Sequence, residues 1–414
     1  MSQTSGLVEH FFRHEYGRVV AVLVRRFGPQ HIETIEDAVQ LALSKALSSW
    51  MAGGLPDNPS AWLFSVARNQ LLSEFRQKAG RGRLLAAFPH EFDVPEAERP
   101  DILMANEVQD DLLRMLFACC DDAIATEAQL VLALKVLCGF DIGEIAARLF
   151  ITEASAYKRL TRARARLKQA GFSTASVAAN DYEARLPAVH AIIYLIFAEG
   201  YLSSHAERAI RKELCAEAIR LASLLVAHPA GQQPETFALL ALMHLHAARM
   251  IAREDAAGGL LLLEEQDRAL WDQHQIGIGL DWLAKAAQGS HFSRYHAEAG
   301  VAAEHCLAPS FAETRWERVA ECYGLLEQMA PSALHRLNRA VAVAEWRGPA
   351  EGLGVLKGFE PPAWLVGSYM WAAVLADLHA RCRHVDQATH YRAQALELAP
   401  SDAVRATLAR RLGG

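Results

Sequence analysis

The sequence predicts an all-α protein in which a helical head is followed by a long helical extension. Three observations carry that prediction. Hydrophobic residues make up 52% of the 414 positions, with Ala, Leu, Glu and Arg prominent, a composition that favours helix. Apolar residues recur at three- and four-residue spacing along nearly the whole chain, whereas strand-like alternation is almost absent. Finally, residues 141–168, DIGEIAARLFITEASAYKRLTRARARLK, describe two short amphipathic helices joined by a tight turn.

The bulk properties narrow the function. A chain of this length holds about two to four domains with sizeable cores. Its net charge of −6 excludes a generally basic nucleic-acid binder, so any such binding must come from local patches. The seven cysteines are scattered and lack CxxC spacing, which points to reduced thiols in a cytoplasmic protein. The adjacent Cys119 and Cys120 fall in an apolar helix and read as buried structural residues. The first residues lack the charged-then-apolar pattern of a signal segment. The longest apolar stretch, around 188–198, contains His190 and is too short to span a bilayer.

In order along the chain, residues 5–27 form a first helix anchored by Val8, Phe11, Phe12, Val19, Val20 and Leu23, ended by Gly28-Pro29. Residues 33–50 form a second, with Ile35, Ala38, Val39, Ala42, Leu43 and Leu47 as its core face. Glu36, Asp37 and Gln40 cluster near its start, where acids also simply oppose the helix dipole. The loop 51–59 is rich in Gly and Pro, and Asp57-Asn58-Pro59 is a helix-start signal. Residues 60–79 then run as a third helix carrying Trp62, Arg68, Asn69 and Arg76. Between Phe88 and Asp111 lie eight acids, one base and three prolines, so 81–111 reads as an extended acidic linker. Helix resumes at Leu112 and supports the two-helix unit.

In that unit Ile142, Ile145, Ala146 and Leu149 line the first helix. A break follows at Phe150-Ile151, with Thr152 as N-cap and Glu153 in the first turn. Ala156, Leu160, Ala163 and Leu167 form the apolar stripe of the second helix. From Ser155 to Lys168 there are six basic residues and no acid. Lys158, Thr161 and Arg162 face away from the stripe, with Arg159 and Arg166 on one flank and Tyr157 and Arg164 on the other. The pattern is that of a helix-turn-helix whose second helix enters the major groove; a solvated basic helix is the plain alternative.

After Gly171 and a Ser/Ala/Asn-rich link, helical periodicity continues over 183–204, 207–227, 234–251, 265–288, 293–306, 312–330, 332–346 and onward. Pro331 and Pro400 stand 69 residues apart, near two periods of the ~34-residue tetratricopeptide repeat. Leu375, Ala376, Ala388, Ala395, Leu396 and Pro400 fit its small-and-large positions, so 176–414 reads as a TPR-like helical solenoid for protein contact. Catalysis is not expected: there is no phosphate loop, no nucleophile motif, and the pairs His244/His246 and His291/His296 are poorly spaced for a metal. No cofactor is implied.

Residues 141–168 resemble region four of the extracytoplasmic-function (ECF) sigma factors through Glu144, Ile145, Ala146, Ile151, Arg159, Leu160, Arg162, Ala163, Arg164 and Leu167. Ala156 and Tyr157 depart from the family pattern, so the promoter read cannot be copied from relatives. Residues 36–40, EDAVQ, and 62–69, WLFSVARN, resemble region two in the correct order. IYLIFAEGY, LLLEEQDRALWD and LNRAVAVAEWRGPAEGL in the extension are similar to motifs of the C-terminally extended ECF group.

The resemblance implies region two over 5–80, the acidic linker 81–111, region four over 112–171, and the extension 176–414. It implies core RNA polymerase and promoter DNA as partners, no membrane, and a regulatory extension whose concave face suits a further protein. Glu36, Asp37 and Gln40 would bind core polymerase. Asn58, Trp62, Arg68, Asn69 and Arg76 would act on the −10 element, Trp62 being equally readable as core. Ser155, Tyr157, Lys158, Thr161, Arg162 and Arg166 would read the −35 element. The rival reading is a helix-turn-helix regulator with a TPR sensor, which has no use for the EDAVQ…WLFSVARN block.

Overall fold

The structure, a computed structural model, describes residues 3–79, 105–149, 151–169, 179–201, 212–254, 261–400 and 402–413. The expected acidic linker therefore lies largely outside the described residues, as do Phe150 in the turn and the link after Gly171. The protein is all-α: among the described residues there are 19 α-helices joined by turns and short 3-10 segments, and no strand. They form two compact units, 1–232 and 233–414.

The first unit opens with α1 (Gln3–Phe27), α2 (Ile32–Gly53) and α3 (Pro59–Ala79). Helix α1 stops where Gly28 takes φ 91° and Pro29 begins a 3-10 turn, a backbone angle that glycine adopts without strain. Its face Tyr16, Val19, Val20, Leu23 and Phe27 is buried against α2, which contributes Ile35, Ala38, Val39, Ala42 and Ala46. That face departs from the expected one at its end. Leu43 is half-buried and Leu47 is 45% exposed, because burial continues along the four-residue step from Ala42 to Ala46.

Four helices follow: α4 (Ala105–Cys119), α5 (Thr126–Val136), α6 (Ile142–Leu149) and α7 (Glu153–Gln169). Every residue of α5 from Ala128 to Val136 is buried, which makes it the central post of this unit. Helix α1 packs on α4 and α5, and α7 packs on α5 and α6. Cys119, Cys120 and Cys138 are buried free thiols, and burial pushes Cys120 up to about 12.

Two helices from the beginning of the extension complete this unit. These are α8 (Ala179–Tyr201) and α9 (Lys212–Ala227), and α8 packs on α4 and α5. Phe117 and Tyr182 meet edge to face at 4.7 Å, and Arg185 pairs with Asp121 at 2.8 Å. The extension expected as one body from 176 is thus divided. Its first two helices bury Leu186, Val189, Ile192, Ile193 and Ile196, and Leu214, Leu221 and Leu225, and so belong to the core of the first unit.

The second unit runs from α10 (Pro234–Ala247) through α11 (Gln273–Ala286), α12 (Arg294–Leu307), α13 (Trp316–Met329), α14 (Ala333–Arg347) and α15 (Pro349–Leu356). It ends with the short α16 (Ala363–Val366), α17 (Tyr369–Arg381), α18 (Val385–Glu397) and α19 (Asp402–Arg411). Most helices pack chiefly on their sequence neighbours. Leu337, Ala340, Ala344, Leu356, Leu365, Leu375 and Leu378 make one apolar cluster, and Ala372, Ala395 and Leu408 another.

Helix α11 begins eight residues later than its periodicity suggests. Asp272 caps it, accepting from the amides of His274 and Gln275 at 3.0 Å, and 3-10 turns occupy the run before it. Trp271 closes that run between two guanidinium groups, Arg249 at 5.0 Å and Arg268 at 4.5 Å from its ring centre. Among the described residues no helix is long and apolar enough to cross a membrane.

Candidate nucleic-acid interface

The helix-turn-helix is built by local hydrogen bonds. Asp141 accepts from the Glu144 amide at 2.7 Å while Glu144 accepts from the Asp141 amide at 2.9 Å, a reciprocal cap that starts α6. The Ile151 amide closes the turn onto the Ala146 carbonyl at 3.1 Å. Thr152 Oγ1 accepts from the Ser155 amide at 3.2 Å, so the residue expected as N-cap performs that task. Ala156, Leu160, Ala163 and Leu167 are all buried, which fixes the rotation of α7.

That rotation leaves Lys158, Thr161, Arg162 and Arg166 exposed, with Tyr157 60% exposed and Ser155 half-buried. The Thr161 hydroxyl donates to the Tyr157 carbonyl at 2.9 Å, which leaves its oxygen free to accept. Along the flank of α7 runs a groove of about 600 Å³ that includes Arg159, Arg162 and Arg166, with Ile124, Glu127 and Ala128 across it. Cations at such spacing on an exposed helix can meet phosphates on the rim of a groove and base edges within it.

The residues assigned to the second surface separate into exposed and buried sets. Asn58 Oδ1 accepts from the Ala61 amide at 3.0 Å and caps α3; Asn58 itself is exposed, as are Asn69 and Arg76. Trp62 is half-buried and meets Trp50 edge-on at 5.5 Å, and Trp50 in turn meets Phe12 at 5.7 Å. Arg68 is 6% exposed. It follows Ala67 on the buried face of α3, so it does not offer its charge to a strand of DNA in this conformation.

On α2, Asp37 and Gln40 are exposed, and they lie one turn apart on one face. Glu36 departs from the expectation. It is 3% exposed and pairs with Arg164 of α7, which also reaches Glu33 at 3.4 Å. The register explains this: Glu36 follows Ile35 on the side of α2 that turns toward α1 and α7.

Residues 11–81 match the sigma-70 region 2 family, and residues 185–287 match a family of unknown function, DUF6596. An uncharacterized protein of Rhizobium meliloti (strain 1021) is 36% identical over 345 residues, covering 82% of this chain and 80% of its own length. The chain belongs to that protein's family, and its N-terminal domain is a sigma-70 region 2. No solved structure matches.

Region 2 thus corresponds to α1–α3. The family of unknown function begins in α8 and ends beside Ala286, the last residue of α11. The EDAVQ and WLFSVARN blocks both fall within the region 2 match. Their acids are not equivalent. Burial pushes the Glu36 carboxyl up to about 7, against the opposing pull of Arg164 and then Lys135. Burial also raises the neighbouring Tyr16 phenol.

Arg164 and Tyr16 are the residues that the sequence reading missed. Arg164 carried a weak signal, since it borders the apolar stripe of α7 on the flank opposite Arg159 and Arg166. Its acidic partners stand 128 and 131 residues away, beyond any local pattern.

Proposed function

We propose that this protein is an RNA polymerase sigma factor of the ECF group, which directs core polymerase to promoters. The observation that carries the reading is the sigma-70 region 2 match over 11–81 on the same chain as an exposed basic helix in a helix-turn-helix. A plain regulator would need the second feature and not the first. In this reading Asp37 and Gln40 bind core polymerase. Asn58, Asn69 and Arg76 contact −10 DNA, with Trp62 supporting that surface from its aromatic cluster. Tyr157, Lys158, Thr161, Arg162 and Arg166, with Ser155 at the helix start, read the −35 element.

The protein works in the cytoplasm as a non-enzymatic, cofactor-free subunit. The extension, read as a TPR-like solenoid, regulates it and offers a surface for a further protein. Neighbour-to-neighbour packing of α11–α19 supports that reading. The test is co-purification of the full chain with core polymerase subunits. A stoichiometric complex is expected, and its absence at micromolar concentrations would favour the plain-regulator reading.

A further inference from the structure

A cluster of buried cations lies in the second unit. Arg249, in the turn after α10, and Arg268, in the run before α11, set their guanidinium carbons 5.0 and 4.5 Å from the centre of the Trp271 ring. Arg268 Nη1 also donates to the carbonyls of His305 and Ala308, the second at 2.7 Å, which brings the end of α12 to the same place. Arg249 is 7%, Trp271 3% and His305 8% exposed. Arg268 is half-buried and puts one edge of the cluster at the surface.

The acids nearby are committed elsewhere. Glu265 pairs with Arg410 at 2.9 Å, Glu264 with Arg411 at 3.8 Å and Glu304 with Arg315 at 2.7 Å. Asp267 and Asp272 accept from backbone amides as caps. Glu313, whose charge acts on Arg268 from further off, is exposed and accepts from the Ser310 hydroxyl. Among the described residues neither Arg249 nor Arg268 has an ion pair. Arg249 donates to Gln266 at 3.3 Å, and Arg268 to its two carbonyls. Burial, then the charges of Arg249 and Arg268, push His305 down to about 3.

Hydrogen bonding is incomplete at the same place. Arg249 Nε, Arg268 Nη2, the Trp271 indole nitrogen and His305 Nδ1 are all buried without a hydrogen-bond partner. The first three are obligate donors, and the imidazole nitrogen is a donor in one tautomer. A buried donor left unpaired costs its desolvation with no return, and native proteins leave few. Water can answer a donor, but it does not balance two buried guanidinium charges.

We propose that Arg249, Arg268, Trp271 and His305 form a binding site for a small dianionic oxyanion, namely a phosphate group. Two uncompensated guanidinium charges call for two negative ones. A tetrahedral oxyanion has acceptor oxygens for nitrogens that arrive from three elements, and guanidinium N–H forks suit its geometry. Atoms this buried cannot meet a nucleic-acid backbone, so the phosphate is a free ion or part of a small molecule. The proposal stands apart from the sigma-factor reading, and it gives the extension a chemical input.

Melting of the full chain with inorganic phosphate, glycerol phosphate or chloride at equal ionic strength tests the site. A ligand that binds only the folded state raises the midpoint, so millimolar phosphate should raise it and chloride should not. A larger rise with glycerol phosphate identifies a phosphorylated small molecule as the source, and an equal or smaller one the free ion. Hydrogen exchange on the unaltered chain should show phosphate-dependent protection in peptides covering 246–253, 266–272 and 304–308. Arg249→Gln should abolish the response. So should Gln266→Glu, which sets a carboxylate beside Arg249 and serves where Arg249→Gln fails to fold. Arg318→Gln, at an exposed arginine of α13, should respond as the unaltered chain does, which separates binding from the general stabilisation that phosphate gives. No rise with either phosphate, a rise equalled by chloride, protection confined to other peptides, or a full response in both cluster variants would overturn the site.

Discussion

Gly17 of α1 lies directly against Leu137 at the end of α5. A Cβ placed on Gly17 would stand 2.2 Å from the Leu137 carbonyl oxygen and 3.0 Å from its carbon. Only a residue without a side chain lets these two helices approach so closely, and this approach joins region 2 to the helical post of the unit. Gly17→Ala should therefore destabilise the first unit by ~1–3 kcal/mol through overpacking against backbone, outweighing the ~0.5–1 kcal/mol gained in helix propensity. Denaturant unfolding of the variant measures the difference, and equal or greater stability would contradict this packing.

The rotation of α7 distinguishes two of its arginines. Arg162 is exposed, whereas Arg164 is buried against α2. In the polymerase complex, Arg162→Ala should weaken binding to −35 DNA by ~1–3 kcal/mol and alter its sequence preference. Arg164→Ala should not lower DNA affinity. Anisotropy titrations with promoter fragments at moderate salt would show it, and an Arg162→Ala variant that reads DNA normally would remove α7 as the reader.

Asp37 offers a test of the other surface. It is exposed in α2, where a charge near a helix start contributes only ~0.3–1 kcal/mol to folding. Asp37→Arg should leave the unfolding midpoint nearly unchanged and reduce the yield of complex with core polymerase. Undiminished complex formation would place the polymerase contact elsewhere.

His190 reports on the extension helices that complete the head. Burial in α8 lowers its pKa from 6.5 to about 4. The unfolded chain therefore takes up a proton between pH 6.5 and about 4 that the folded unit refuses. Stability from this group is present above pH 6.5 and is lost as pH falls through about 4, a total of about 3 kcal/mol. A proton NMR titration should find His190 still neutral at pH 5.5, and titration near 6.5 would mean that α8 does not bury it.

Much of this architecture was legible because it is local. The stripe Ala156, Leu160, Ala163 and Leu167, the cap at Thr152 and the stop at Gly28 follow from spacing and backbone preference, and each lies where the sequence puts it. The parts that were not legible depend on contacts distant in sequence. Glu36 and Asp37 are neighbours of like charge in one turn, yet one is buried against a guanidinium 128 residues away and the other faces solvent. Arg68 carries a charge suited to a phosphate, but its place beside Ala67 on the inner face of α3 buries it. The run before α11 has helical composition, and the Asp272 side chain decides that the helix starts after it.

In its proposed role this chain makes core polymerase specific for promoters. Reconstituted transcription on fragmented genomic DNA, followed by mapping of the transcript 5′ ends, tests it most directly. Starts are expected that appear only when the chain is added, share one −10 and one −35 sequence, and shift or vanish with Arg162→Ala. The same starts from core polymerase with and without the chain would contradict it.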